Sequence, residues 1–290
     1  MSAAGRFLLA ASLLLAACAT PPAPALSEPS LVEQQPGLVW VRRSAEYALV
    51  TAKTYAAAAQ TLDQLVAARG AGDPPWVVVM DADETILDNS LFTLEGLRAG
   101  RTGFDPVAWR AWVAREEASA VPGAVVFIRH LLVSGGRLAV VTNRDAADDD
   151  HTRANLRKIG VPADSPAVCV LGRSAADRKR NNPVEWARFG YANDKDRRRR
   201  LIATGKAERC WNWPAGSAEQ AQRKALWAVP AVILMSVGDN IQDMPGLTPA
   251  VADDPERMKA LAADPHLVLI PNPLYGSWRG RTGPRARWLP

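Results

Sequence analysis

Four short apolar runs punctuate the chain, at residues 76–80 (WVVVM), 138–141, 168–171 and 232–237, with a fifth candidate at 267–270. They are rich in β-branched residues and show no polar alternation. Such runs fit strands buried on both faces of a parallel sheet. Between them lie stretches of helical period at 122–134, 149–159 and 194–204, each followed by glycine. A longer Ala-rich stretch, 31–69, reads as one helix stopped at Gly70. Strands alternating with helices predict an α/β domain around a mostly parallel sheet. Residues 91–119, with Phe92, Phe104, Trp109 and Trp112, interrupt the alternation and read as a small inserted cap.

In such a sheet ligands bind beyond the carboxyl ends of the strands, so the residues after each apolar run matter most. Asp81-Ala82-Asp83-Glu84-Thr85 follows the first run and Thr142-Asn143-Arg144 the second. Lys195 opens the 194–204 helix, and Gly238-Asp239-Asn240-Ile241-Gln242-Asp243 follows the fourth run. Four polar clusters should therefore meet in one crevice. Asp81, Asp83 and Asp239 would form a dense negative site that needs a cation. Carboxylate oxygens without soft ligands suit Mg²⁺, which commonly meets phosphate oxygens. Lys195 at a helix start, with the Thr142 hydroxyl and neighbouring Asn143, would supply positive charge and donors for a phosphoryl group.

These stretches resemble the four motifs of the haloacid dehalogenase superfamily, and more closely its class C, or four-Asp, acid phosphatase branch. That branch includes bacterial outer-membrane phosphatase lipoproteins and plant vegetative storage proteins. Supporting segments are DADETILDNS (81–90), GFDPVAWRAW (103–112), VPGA (121–124), VTNR (141–144) and PNPLYGSW (271–278). The resemblance spans about residues 37–280. It implies a three-layer, Rossmann-like fold with a central parallel sheet and a cap at about 88–120. It also implies a Mg²⁺-dependent phosphomonoesterase. Asp81 would be the nucleophile and Asp83 the general acid and base. The metal residues would be Asp81, Asp83 (through its carbonyl), Asp239 and Asp243. Phe104 and Tyr275 match positions that stack on the base of nucleoside 5′-monophosphates. The long stretch from Lys195 to Asp239, with an insertion near 210–222, and Met244 in place of the more usual Phe depart from the family pattern.

The N-terminus carries different information. Arg6 precedes an apolar run, Phe7 to Ala17, too short to span a bilayer as a mature helix. It ends in Leu15-Ala16-Ala17-Cys18, which resembles the lipobox of bacterial lipoproteins. The expected organisation is a signal peptide at 1–17, a lipid-anchored Cys18 with a Pro-rich tether to residue 36, and a phosphatase domain at 37–290. The expected location is the bacterial cell envelope, anchored to the outer membrane and facing the periplasm or the surface. In an oxidising compartment Cys169 and Cys210 would be free to pair. His130, His151 and His266 are scattered and carry no zinc pattern.

Composition excludes little beyond fibrous and disordered classes: 48% of residues are hydrophobic and 22% charged. The net charge of +5 is mild, and no nucleic-acid module accompanies it. The run Arg197 to Arg200 reads as the solvated face of a helix. The expected partners are a small phosphomonoester and the membrane, and no nucleic acid; a homodimer stays open. The alternatives weighed are a phosphotransferase on the same fold and a non-catalytic surface binding or storage lipoprotein.

Overall fold

The computed structural model describes residues 35–178, 188, 190–191 and 194–280. The expected signal peptide, Cys18 and the expected tether up to residue 34 lie outside the described residues. Among those described, no helix is long and apolar enough to cross a membrane.

The chain enters through α1 (Pro36–Arg43) and α2 (Ala45–Ala67). The single helix expected here is two, because Ser44 is extended. Its hydroxyl donates to Trp40 O at 2.7 Å and accepts from Tyr47 N at 3.0 Å. It thus closes one helix and N-caps the next, a role Ser fills better than a helix-interior one.

Then follow β1 (Trp76–Met80), β2 (Leu87–Asp88), α3 (Ser90–Arg98), α4 (Pro106–Arg115), β3 (Ser119–Ala120) and α5 (Ala124–Val133). Next come β4 (Arg137–Asp145), α6 (Asp149–Lys158), β5 (Val168–Arg173), the single turn α7 (Ala175–Arg178) and α8 (Asp194–Ala203). The described chain ends with α9 (Ala218–Trp227), β6 (Val232–Gly238), α10 (Pro255–Ala262) and β7 (Leu267–Leu269). The inserted helices α3 and α4 are closed at their base by β2 and β3, which pair antiparallel as Leu87↔Ala120 and Asp88↔Ser119.

The main sheet has the order β5-β4-β1-β6-β7, and all its pairs are parallel. The expected fold class is therefore observed. Every residue of β1 is buried. Alternate side chains serve opposite faces, as the two-residue period of a strand requires. Val78, Met80, Leu138 and Val140 pack with Tyr55, Leu62, Phe127 and Ile128 of α2 and α5. Val77, Val79, Ala139 and Val141 pack with Ile202 and Trp227 of α8 and α9. Each fully buried Val, Leu or Ile contributes about 1.5–3 kcal/mol, so both helical layers are held mainly by apolar burial. A disulfide joins Cys169 of β5 to Cys210, in the short 3-10 turn Glu208–Cys210.

The strand order places the site. From β1 the chain adds β4 and β5 on one side, then returns to add β6 and β7 on the other. The crevice between the ends of β1 and β6 is the point where the winding reverses, the usual ligand position in such sheets.

Candidate active site

Asp81 follows β1 and Asp239 follows β6, so pairing of these neighbouring strands brings the two side chains together. The Asp81 N–H continues the ladder, donating to Val237 O at 2.9 Å. Asp243 sits in the 3-10 turn Ile241–Asp243, where its Oδ2 accepts from Asn240 N at 2.8 Å. A Cβ on Gly238 would lie 2.2 Å from the Asp243 Cβ, so only glycine lets this turn fold back. One carboxylate oxygen from each of Asp81, Asp239 and Asp243 lies within 4.8 Å of the others.

Lys195, in the first turn of α8, reaches this cluster. Its ammonium is 2.6 Å from Asp81 Oδ1 and 2.5 Å from Asp243 Oδ1. Burial opposes its charge, but Asp243 and Asp81 outweigh burial and raise its pKa. Burial pushes Asp81 up to about 7 against the pull of Lys195, with Asp243 and Asp83 adding repulsion. Burial and the charges of Asp243 and Asp81 push Asp239 far up as well.

These residues fit a divalent cation. Fully ionised, the state a bound cation would favour, three carboxylates and one ammonium sum to −3 + 1 = −2. Asp81 Oδ1 is buried and meets Lys195 at 2.6 Å without a well-aligned hydrogen bond, which leaves lone-pair capacity for a cation. An all-oxygen donor set favours a hard ion.

Asp83 faces elsewhere. Its Oδ1 accepts from Arg144 Nη2 at 2.7 Å, Arg144 Nε at 2.9 Å and Asn89 Nδ2 at 2.9 Å. Its Oδ2 has only Arg144 Nε at 3.2 Å and the Thr142 hydroxyl at 3.5 Å. The structure thus places the Asp83 carboxylate beside Thr142, outside the cluster of three. Asn89 also accepts from Trp112 Nε1 at 2.8 Å, and Arg144 lies 5.6 Å from the Trp109 ring, so the inserted helices touch this corner.

Asn143 is exposed, and its Oδ1 accepts from Arg198 Nη2 at 3.2 Å. Phe104 is 71% exposed and packs on Trp109 at 6.1 Å. Tyr275 is 38% exposed, and its hydroxyl donates to Glu84 Oε2. Several residues that the sequence placed in the quoted segments without a role also hold the site. Thr85 donates to Asp239 Oδ1 at 3.2 Å and Asn272 to Asp239 Oδ2 at 2.7 Å. Glu84 is buried at a left-handed φ of 54° and accepts from Asn89 N at 3.0 Å. Burial and the charges of Asp83 and Asp239 push its pKa far up. Asn272 lay within reach of the strand-end rule, since it closely follows β7.

Residues 23–191 match the family described as HAD superfamily, subfamily IIIB (Acid phosphatase). The chain belongs to this family. It is a phosphomonoesterase. Two solved structures are similar to this subfamily IIIB phosphatase. The class C acid phosphatase from Bacillus anthracis is 23% identical with a TM-score of 0.60, over 86% of this chain and 88% of that one. The class C acid phosphatase from Bacillus anthracis with tungstate bound is 21% identical with a TM-score of 0.57, over the same shares. At these identities the likeness concerns the fold. The family match of the phosphatase ends before Lys195, Asp239 and Asp243, so their case is geometric.

Proposed function

We propose that this acid phosphatase is Mg²⁺-dependent and works through an aspartyl-phosphate on Asp81. The observation that carries the reading is the meeting of Asp81, Asp239 and Asp243 within 4.8 Å, with Lys195 between Asp81 and Asp243. Asp81, the Asp83 carbonyl, Asp239 and Asp243 would hold the ion. When bound, Mg²⁺ offsets the crowded negative charge and draws charge from the phosphoryl oxygens.

In the first half-reaction an Asp81 oxygen forms a bond to phosphorus as the ester P–O bond breaks. Asp83, carrying a proton, gives it to the departing alkoxide. In the second, water attacks the same phosphorus, its proton passes to Asp83, and phosphate leaves with Asp81 restored. Asp83 Oδ2, the less engaged oxygen, is the one suited to carry the proton. Thr142 and Lys195 would hold the transferred group and stabilise its charge. Asn143 would flank it.

The reading extends to substrate and location. Phe104 and Tyr275 leave ring surface in solvent, which suits stacking on the base of a nucleoside 5′-monophosphate. The apolar run ending at Cys18 supports a lipid anchor in the bacterial outer membrane.

The test is turnover of p-nitrophenyl phosphate and of 5′-nucleotides, with Mg²⁺, with chelator, and in Asp81→Asn. Turnover should need the metal and vanish in Asp81→Asn, and nucleotides should lose their advantage in Phe104→Ala. Full activity in chelator, or in Asp81→Asn, would sink the proposal.

A further inference from the structure

The face of α8 turned to the protein is basic. Lys195, Arg198, Arg199 and Ile202 are buried at spacing i, i+3, i+4, i+7, where a packed helix ordinarily carries apolar residues. Each cation meets a different part of the site. Lys195 meets Asp81 and Asp243. Arg199 Nη2 donates to Gln242 O at 3.1 Å in the turn that bears Asp243, and Asp196 on the same helix accepts from Gly246 N at 3.1 Å. Arg198 meets the Thr142–Asn143 end of β4 from behind.

Arg198 Nη1 donates to Thr142 O and, at 3.0 Å, to Leu171 O; Nη2 donates to Asn143 Oδ1 at 3.2 Å. One planar guanidinium therefore ties α8 to the ends of β4 and β5. Asp177 stands 3.9 Å from its Nε and supplies counter-charge. No apolar residue could satisfy these buried acceptors, and a lysine could reach only part of them.

We infer that Arg198 is a positioning residue for phosphoryl binding: it fixes the Thr142–Asn143 backbone against the helix that carries Lys195. This assignment rests on the reading of Thr142 and Lys195 as phosphoryl ligands. Arg198 acts through them and does not itself touch the substrate.

A second buried arginine separates positioning from mere stability. Arg223 of α9 donates to Val168 O at 3.0 Å and Asp164 O at 2.9 Å, at the opposite end of β5. It offers the same chemistry away from the site.

The experiment compares Arg198→Met, Arg198→Lys, Arg223→Met and Lys195→Met in the purified chain with saturating Mg²⁺. It reads kcat and KM on p-nitrophenyl phosphate, the competitive Ki of inorganic phosphate, and the thermal midpoint. Loosening this end of β4 by about an ångström should lower kcat/KM roughly 100-fold in Arg198→Met and raise the phosphate Ki about 10-fold. Arg198→Lys should recover part of both. Arg223→Met should lose at least as much thermal stability and keep its phosphate Ki within about 2-fold of wild type. A phosphate Ki unchanged in Arg198→Met but raised in Lys195→Met would overturn the role of Arg198 alone. A Ki unchanged in both would overturn the phosphoryl-site reading with it. If Arg198→Met does not fold, Arg198→Lys decides by the same Ki criterion.

Discussion

The two ends of the main sheet solve opposite problems with similar residues. At the amino end buried charge is tied to structural groups: Arg223 holds two carbonyls, stacks 3.7 Å from the Trp213 ring and pairs with Glu219. Trp227 donates to Pro166 O, and Cys169 is fastened to Cys210. At the carboxyl end three carboxylates crowd together and are only partly offset by Lys195. The first arrangement gives Arg223 and Trp227 acceptors for their buried donors. The second crowds like charges, and is held in place by the sheet and by donors such as Thr85 and Asn272. Buried charge by itself says little about function; the sign of its imbalance says more.

The largest effects should break this contrast at the carboxyl end. Asp239→Asn should lower Mg²⁺-supported turnover by about 10³-fold or more. The same change should raise the thermal midpoint in chelator by a few degrees, since it relieves repulsion. A fall in that midpoint would show that the crowd is not strained.

At the amino end, replacing Cys169 and Cys210 together by Ala frees a loop with a sequence separation of 41 residues. Chain entropy puts the loss at about 4 kcal/mol in urea unfolding, with kcat/KM nearly unchanged. A large loss of kcat/KM would mean that the two ends are coupled.

The smallest effect sharpens the boundary between the ends. Asp149 accepts from Gly172 N at 2.8 Å and pairs with Arg209, yet burial outweighs both and pushes its pKa up to about 6. A carboxyl raised above its unfolded value binds more protons when folded, so its contribution grows as pH falls from 7 towards 4. Asp149→Asn should flatten that slope by roughly 1–2 kcal/mol in urea titrations at pH 7 and pH 5. An unchanged slope would mean that Arg209 dominates.

The strands were legible because runs such as 76–80 are buried on both faces, and that needs no knowledge of neighbours. The clusters following β1 and β6 were legible because strand ends face one crevice. The break at Ser44 was not, since an Ala-rich run reads through a serine whose capping bonds appear only in three dimensions. The basic face of α8 was hidden for a physical reason. Periodicity counts apolar positions, and Arg198 and Arg199 are buried chiefly through the backbone carbonyls of Thr142, Leu171 and Gln242, which are distant in sequence. Arg144 and Asn89 stood in segments the sequence singled out, but their contact with Asp83 was not legible; for Arg144 it forms only after β1 and β4 have paired.

The basic stripe of α8 also bears on the order of assembly. A helix whose inward side is mostly charged, with Ile202 its one fully buried apolar residue, gains little from early hydrophobic collapse. Its docking contacts, to Thr142, Leu171 and Gln242, exist only once three strands lie in register. The segment should therefore consolidate last during refolding and open first in native-state hydrogen exchange, so Lys195 is delivered to a scaffold that is already built.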